Sequence, residues 1–240
     1  MTRILAINPN TSPEVTAAFV AEARRIAPGG VVVEGVTGGF GARIVTREAE
    51  NVIAAHAALQ LAADHANGVG AVILAISFDS GLRALRDLLP VPVVGVTESA
   101  LVQAGDAPLG VVSFGASSTP LYTQLLADYG HKPVAWDVVE FKTREDYLNA
   151  PSKDAMVLEA ITRLAASGAE TAVLLGTVVA GMAARLQPYA AIPVSDGAAA
   201  VSYCLTRIAT HKKPAQPSAP TAGTIGLSAA LTALIAGTTE

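Results

Sequence analysis

Hydroxyl, amide and carboxylate side chains stand directly after the apolar runs of this chain, and that placement is what a small-molecule site needs. Ser77, Phe78, Asp79 and Ser80 follow Ala71–Ile76, and Gly176, Thr177 and Val178 follow Ala172–Leu175. Asn8, Asn10 and Thr11 follow Ile4–Ile7, while Ser113, Phe114, Gly115 and Ser117 close the run that starts at Leu109. Glu98 comes just after Val93–Val96. Hydroxyls and the free N–H groups of helix starts favour a carboxylate, an imide or a developing enolate. Ser77, Thr177 and Asp79 are the catalytic candidates, with Asp79 or Glu98 acting as base through Ser77 or a water. The other residues named here, together with Val45, form the substrate-binding set. Phe78, Phe114, Val45 and Val178 would place an apolar group beside the polar head.

Most of these residues also have a structural use. Small hydroxyl residues are common in turns, Asp79 suits a buried acceptor for loop N–H groups, and Glu98 sits where a first-turn carboxylate favours the helix dipole. His56 and His65 fall mid-helix, and no spacing of His, Asp, Glu and Cys makes a metal site. Cys204, flanked at helical spacing by Val201 and Ile208, reads as a packing residue. Gly39 and Gly41 come closest to a phosphate loop, but Ile44 stands where a third glycine belongs. No cofactor is implied.

The elements that must position these residues alternate. Ile4–Ile7 reads as a strand; Ser12 and Pro13 then supply an N-cap and a first-turn proline. Val15, Ala18, Phe19, Ala23 and Ile26 mark the expected buried stripe of that helix. Val31–Val33 is a second strand, and a long helix runs from about Arg47 to Ala66. The uninterrupted apolar run at Ala71 suits a parallel strand covered on both faces. The order predicts an α/β fold of mostly parallel sheet flanked by helices.

The second half repeats the first. Leu109–Phe114 leading into Ser117–Pro120 matches the opening strand and turn, Ala172–Thr177 matches the run ending at Ile76 and Ser77, and Ile192–Gly197 matches Val91–Val96, at offsets of 106, 100 and 101 residues. Two similar lobes follow from such a period, 1–98 and 99–197, with the C-terminal helix and tail 198–240 completing the first. The tail opens as a Pro-rich tether from Lys212 and carries an amphipathic piece, Leu227–Ile235. That piece either docks on a lobe or a neighbouring subunit, or belongs to a disordered end.

Composition narrows the function. The chain has 240 residues with a formal charge of −4, 51% hydrophobic and only 15% charged residues, which suits a large core and disfavours nucleic acid as a partner. The longest strongly apolar stretch, Val69–Ile76, is far short of the roughly 20 residues that span a bilayer. The N-terminus lacks a signal-peptide pattern, so a cytoplasmic protein with no membrane partner is expected.

Several motifs carry a family resemblance. Ile7–Ser12 resembles the start of hydantoin and allantoin racemases of the aspartate/glutamate racemase superfamily. Phe78–Leu82 is similar to that family's F-x-D-P-G-L segment, one residue shorter, and Pro92–Ala100 resembles its P-V-V-G-I-x-E-A-A. Val112–Gly115, Ile192–Gly197 and Gly226–Ser228 also match. The resemblance implies two lobes related by a pseudo-twofold with the site between them, no cofactor, a homo-oligomer, and one cysteine from each lobe exchanging the proton of an acidic carbon. This sequence departs at both thiols: the first falls at Ile76 or Ser77, the second at Thr177, and Cys204 is at neither place. An alcohol ionises far above a thiol and needs a neighbouring base. The expected function is a cofactor-independent racemase or epimerase acting on a hydantoin-type ring or amino-acid derivative. The alternatives are a cofactor-free decarboxylase or lyase, or a small-molecule binding member without chemistry.

Overall fold

The computed structural model describes residues 1–141, 150–211 and 223–237. The first half contains β1 (Thr2–Asn8), α1 (Pro13–Ile26), β2 (Val31–Thr37), α2 (Glu48–His65), β3 (Ala71–Leu74), α3 (Leu82–Leu88), β4 (Val93–Gly95) and α4 (Val96–Ala104). The second contains β5 (Leu109–Phe114), α5 (Thr119–Asp128), β6 (Ala135–Val139), α6 (Ala150–Ala166), β7 (Thr171–Leu174), α7 (Met182–Leu186), β8 (Val194–Ser195) and α8 (Ala199–Thr210). A last helix, α9, spans Ala229–Ala236.

The strands make two four-stranded sheets, in the orders β2-β1-β3-β4 and β6-β5-β7-β8. Every pairing is parallel; Ile4 sits opposite Ala71 in the first sheet and Leu109 opposite Thr171 in the second. The fold is α/β, with helices covering both sheets, and the repeat read from the sequence is a repeat of strand order. All residues of β3 and β7 are buried, as expected of the apolar runs Ala71–Leu74 and Ala172–Leu174, with the polar Thr171 at the start of β7 buried as well.

Local details differ from the sequence pattern for identifiable reasons. The second strand runs four residues past Val33, paired with β1 as far as Thr37, and Gly35 within it lets α1 lie close, since a Cβ there would collide with Val20 and Thr16. The buried face of α1 is Thr16, Phe19, Val20 and Ala23, whereas Ala18 is exposed. Thr16 turns inward because its hydroxyl has partners there, accepting from Asn8 Nδ2 at 2.9 Å and meeting Thr37 Oγ1 at 2.7 Å. Ser12 occupies the N-cap position, but its hydroxyl donates to Arg43 O at 2.6 Å rather than capping the helix.

The sheets share one hydrophobic cluster. Leu5, Ile7, Leu74 and Phe78 pack in it with Leu109, Val111, Tyr122 and Val173. The helices that follow the fourth strands cross over: α4 packs on β7 and β8, and α8 packs on β3 and β4. Ser195 Oγ fixes the crossing by donating to Ala100 O at 2.8 Å. Cys204 on α8 is fully buried beside Ile4, Ala6 and Phe19, and burial pushes its thiol up to about 12. The piece expected at Leu227–Ile235 forms α9 on α2, where Ser228 Oγ accepts from Leu231 N and donates to Gln60 Oε1. Most of the Pro-rich tether lies outside the described residues.

Candidate active site

Ser77 and Thr177 occupy the same place in the two halves. β3 ends at Leu74 and β7 at Leu174, so each hydroxyl residue lies three positions beyond its strand. Four positions further on stand Gly81 and Gly181, both with φ of 85°, each opening the next helix. That backbone needs a residue without Cβ, so the paired glycines lock the register. Ile76 packs in the shared core, and Gly176 is its counterpart. The polar residue in register with Thr177 is therefore Ser77.

The loop carrying Ser77 is held from both halves. Thr97 Oγ1 donates to Ser77 O at 2.6 Å, and Tyr122 on α5 donates its hydroxyl to Ser77 Oγ at 2.8 Å. The Tyr122 ring lies against Phe78 with centroids 4.5 Å apart. Burial pushes the Tyr122 phenol up to about 12, so it stays protonated. Tyr129, at the end of the same helix, donates to Asp79 Oδ2 at 2.7 Å. Seven residues separate the two tyrosines, two helical turns, so they share a face.

Asp79 works as an acceptor. Its Oδ1 receives Thr97 N at 3.2 Å and its Oδ2 receives Glu98 N at 2.9 Å besides Tyr129. It thus caps α4, whose N-cap residue Gly95 has no side chain for the task. A Cβ at Gly95 would collide with the Asp79 carboxyl. Asp79 itself has φ of +48°, the one positive value outside glycine among the described residues; aspartate tolerates that region better than most. Burial pushes its carboxyl up to about 7, against the lowering by Tyr129 and the α4 N–H groups. Glu98 pairs with Arg86 at 2.6 Å and accepts from Gly95 N, so its carboxylate is engaged as well.

The remaining candidates fall in three places. At the β1 end, Asn8 is fully buried; its amide donates to Ser12 O and Thr16 Oγ1, and its carbonyl accepts from Asn10 N. Asn10 Oδ1 accepts from Ser12 N, and Thr11 N donates to Ala42 O. These residues shape the turn. At the β5 end, Ser113 Oγ accepts from Trp136 Nε1 at 2.8 Å, Phe114 stacks on Phe141 at 5.7 Å, and Ser117 is exposed beyond Gly115. Phe114 also lies over Gly176, beside half-buried Val178. Around β3, Val45 and Phe78 are core residues, and Ser80 Oγ donates to Asn51 Oδ1 at 2.5 Å. Among the described residues, no hydrogen bond links the Ser77 loop to the Thr177 loop.

Thr119, at the first position of α5, was not singled out by the sequence pattern. Its Oγ1 is buried without a hydrogen-bond partner, alone in this among the described side chains. Tyr122 and Tyr129 were missed too; their spacing on a predicted helix was the available signal. A cleft of about 430 Å³ opens beside Phe78, Asp79 and Ser80, walled by Leu121, Gln124 and Tyr129 of the second half. A larger groove of about 650 Å³, around His131, Lys132 and Trp136, lies at the other end of its strand, before β6. Among the described residues no group of His, Cys, Asp and Glu can hold a metal, and no helix is long and apolar enough to cross a membrane.

Two four-stranded parallel sheets of like strand order, flanked by helices, define this as an α/β protein. Residues 4–202 match the family model described as Asp/Glu/Hydantoin racemase, and the chain belongs to that family. It is 31% identical to a hydantoin racemase from Rhizobium meliloti over 145 residues, 56% of this chain and 58% of that protein. The alignment thus spans little more than half the curated relative. An allantoin racemase from Klebsiella pneumoniae is similar over 98% of this chain and 99% of its own, with 27% identity and a TM-score of 0.85. One from Pseudomonas fluorescens gives 25% identity and a TM-score of 0.83, over 92% and 99%.

Proposed function

We propose that this chain is a cofactor-independent isomerase of the racemase type, moving a proton at the acidic carbon of a hydantoin-type ring or a related amino-acid derivative. The observation that carries this reading is the register of Ser77 and Thr177, each three residues past its strand and four before its left-handed glycine. The likeness to allantoin racemase over nearly the whole chain supports it.

Alcohols ionise too weakly to act as a thiolate pair, so the carbon-bound proton would pass to a water on one face and be replaced from a second water on the other, and the rate leans on the acidity of the substrate. A carbanion beside a hydantoin carbonyl is an enolate, and hydrogen-bond donors aimed at its oxygen lower the barrier. Ser77 and Thr177 would flank the carbon. Asp79 holds the Ser77 loop to α4 and influences the reaction through that loop.

The Tyr122–Ser77 bond favours one second reading, a cofactor-free decarboxylase or lyase. Loss of CO2 leaves an enolate that needs charge stabilisation and a single proton donor, and Ser77 backed by a phenol is a donor. Single enantiomers of allantoin and of 5-substituted hydantoins in deuterated water separate the two. Under the racemase reading, optical rotation decays as deuterium enters at the acidic carbon, faster than in buffer. Release of CO2 from a malonate-type acid with no exchange into hydantoins assigns the second reading. Neither reaction across both sets overturns the first.

A further inference from the structure

We propose that Tyr122 is a positioning residue that makes the Ser77 loop a hydrogen-bond donor: by donating to Ser77 Oγ, it leaves the serine's own proton for an anionic oxygen of the ligand. This rests on the reading of Ser77 as a substrate-facing residue.

A serine hydroxyl has one proton and two lone pairs. Tyr122 is 5% exposed and its hydroxyl needs an acceptor; Ser77 Oγ supplies it at 2.8 Å. The Ser77 backbone carbonyl is taken by Thr97 Oγ1, which keeps the loop from rotating to another arrangement. Ser77 itself is half-buried, whereas Ile76 before it and Phe78 after it are core residues, so Ser77 is the residue of this stretch with surface left for a ligand. With one lone pair filled by Tyr122, the hydroxyl proton remains for another partner. Hydrogen bonds in a chain polarise one another, so the buried phenol strengthens Ser77 as a donor. The β3 position thus meets negative charge on oxygen and leaves removal of the carbon-bound proton to another group. A thiol at this place would be suited to the opposite task.

The test uses 5,5-dimethylhydantoin, which has an ionisable imide and no proton on the reacting carbon, so binding is read without turnover. Its affinity is measured by calorimetry for the wild type and Tyr122→Phe, below and above the pKa of the imide. Both pH values are kept above the range in which Asp79 titrates. Asp79 is the charged group that bears on Tyr122, with Tyr129, Glu98 and Arg86 behind it. Tyr122→Phe keeps the ring against Phe78 and removes only the hydroxyl. The expected result is a loss of about tenfold in affinity for the anion and less than about twofold for the neutral form. Ser77→Ala should lose the same factor, and the double variant no more than either single one. Equal weakening of both forms, multiplying losses in the double variant, or no binding by the wild type would overturn the proposal. Binding that depends on Tyr122, in a protein that exchanges no hydantoin proton, would retain this inference and discard the racemase reading.

Discussion

Asp79 and Asp196 close the same junction in the two halves from opposite ends. Asp79 leaves the loop after β3 and reaches forward to Thr97 N and Glu98 N at the start of α4. Asp196 follows β8 and reaches back, receiving Ala183 N at 2.6 Å in the first turn of α7, with Ala198 N on its other oxygen. Each carboxylate ties the third-strand loop to the segment after the fourth strand, although the two aspartates are not counterparts in the repeat. Burial raises the pKa of both. The two halves share the connection and differ in the side that supplies the charge.

The sign of a pH effect on stability follows from Asp79. Its carboxyl is pushed from 3.8 up to about 7 by burial, so between those values the folded chain holds a proton that the unfolded chain releases. Its contribution is fully present below the lower value and is lost as pH rises through about 7, by at most about 4 kcal/mol. Denaturant midpoints across that window should therefore fall with rising pH in the wild type, and Asp79→Asn should flatten the slope. A slope unchanged in the variant would place the titration elsewhere.

Gly95 is confined by the same carboxylate. Gly95→Ala puts a methyl group into Asp79 and should cost about 1–3 kcal/mol by overpacking. Thermal unfolding in an Asp79→Ser background should recover part of that loss, because the shorter side chain leaves room. Losses that simply add would argue that the collision is not with Asp79.

Restoring thiols tests the pairing of Ser77 with Thr177. The double variant Ser77→Cys with Thr177→Cys should raise deuterium exchange into a hydantoin by about tenfold or more, since a thiol ionises near neutral pH and an alcohol does not. Each single substitution should give less. Exchange no faster in the double variant than in the wild type would break the assignment of these two positions.

Cys204 should take no part in the reaction. Its thiol is fully buried in the packing between α1, α8 and the first sheet, and its pKa is pushed up to about 12. A chromogenic disulfide reagent should leave it unmodified in the native protein and label it completely in denaturant. Cys204→Ala should keep wild-type exchange kinetics. Cys204→Ser should lose about 1–3 kcal/mol in stability by burying a hydroxyl among apolar side chains.

Much of the architecture was legible because it is written in local periodicity. Ala71–Leu74 and Ala172–Leu174 are apolar without a break, and a strand covered on both faces accommodates that composition. Their equal distance from Ser77 and Thr177 follows from counting alone. The inward face of α1 was not legible: Thr16 is polar by type, and its burial depends on meeting Asn8 and Thr37 from two different strands.

The amino-acid order by itself determined the alternation of strands and helices, the duplicated halves, the hydroxyl residues at both strand ends, and the lone cysteine outside them. Tertiary structure alone decided what those hydroxyls and carboxylates are bonded to. Tyr122 meets Ser77 across 45 residues of chain and Tyr129 meets Asp79 across 50. Periodicity reports which face of an element is buried, and it carries no information on which distant group that face will find. The docking of α5 against the β3 loop supplied that information, and with it the difference between a base and a capped acceptor at Asp79.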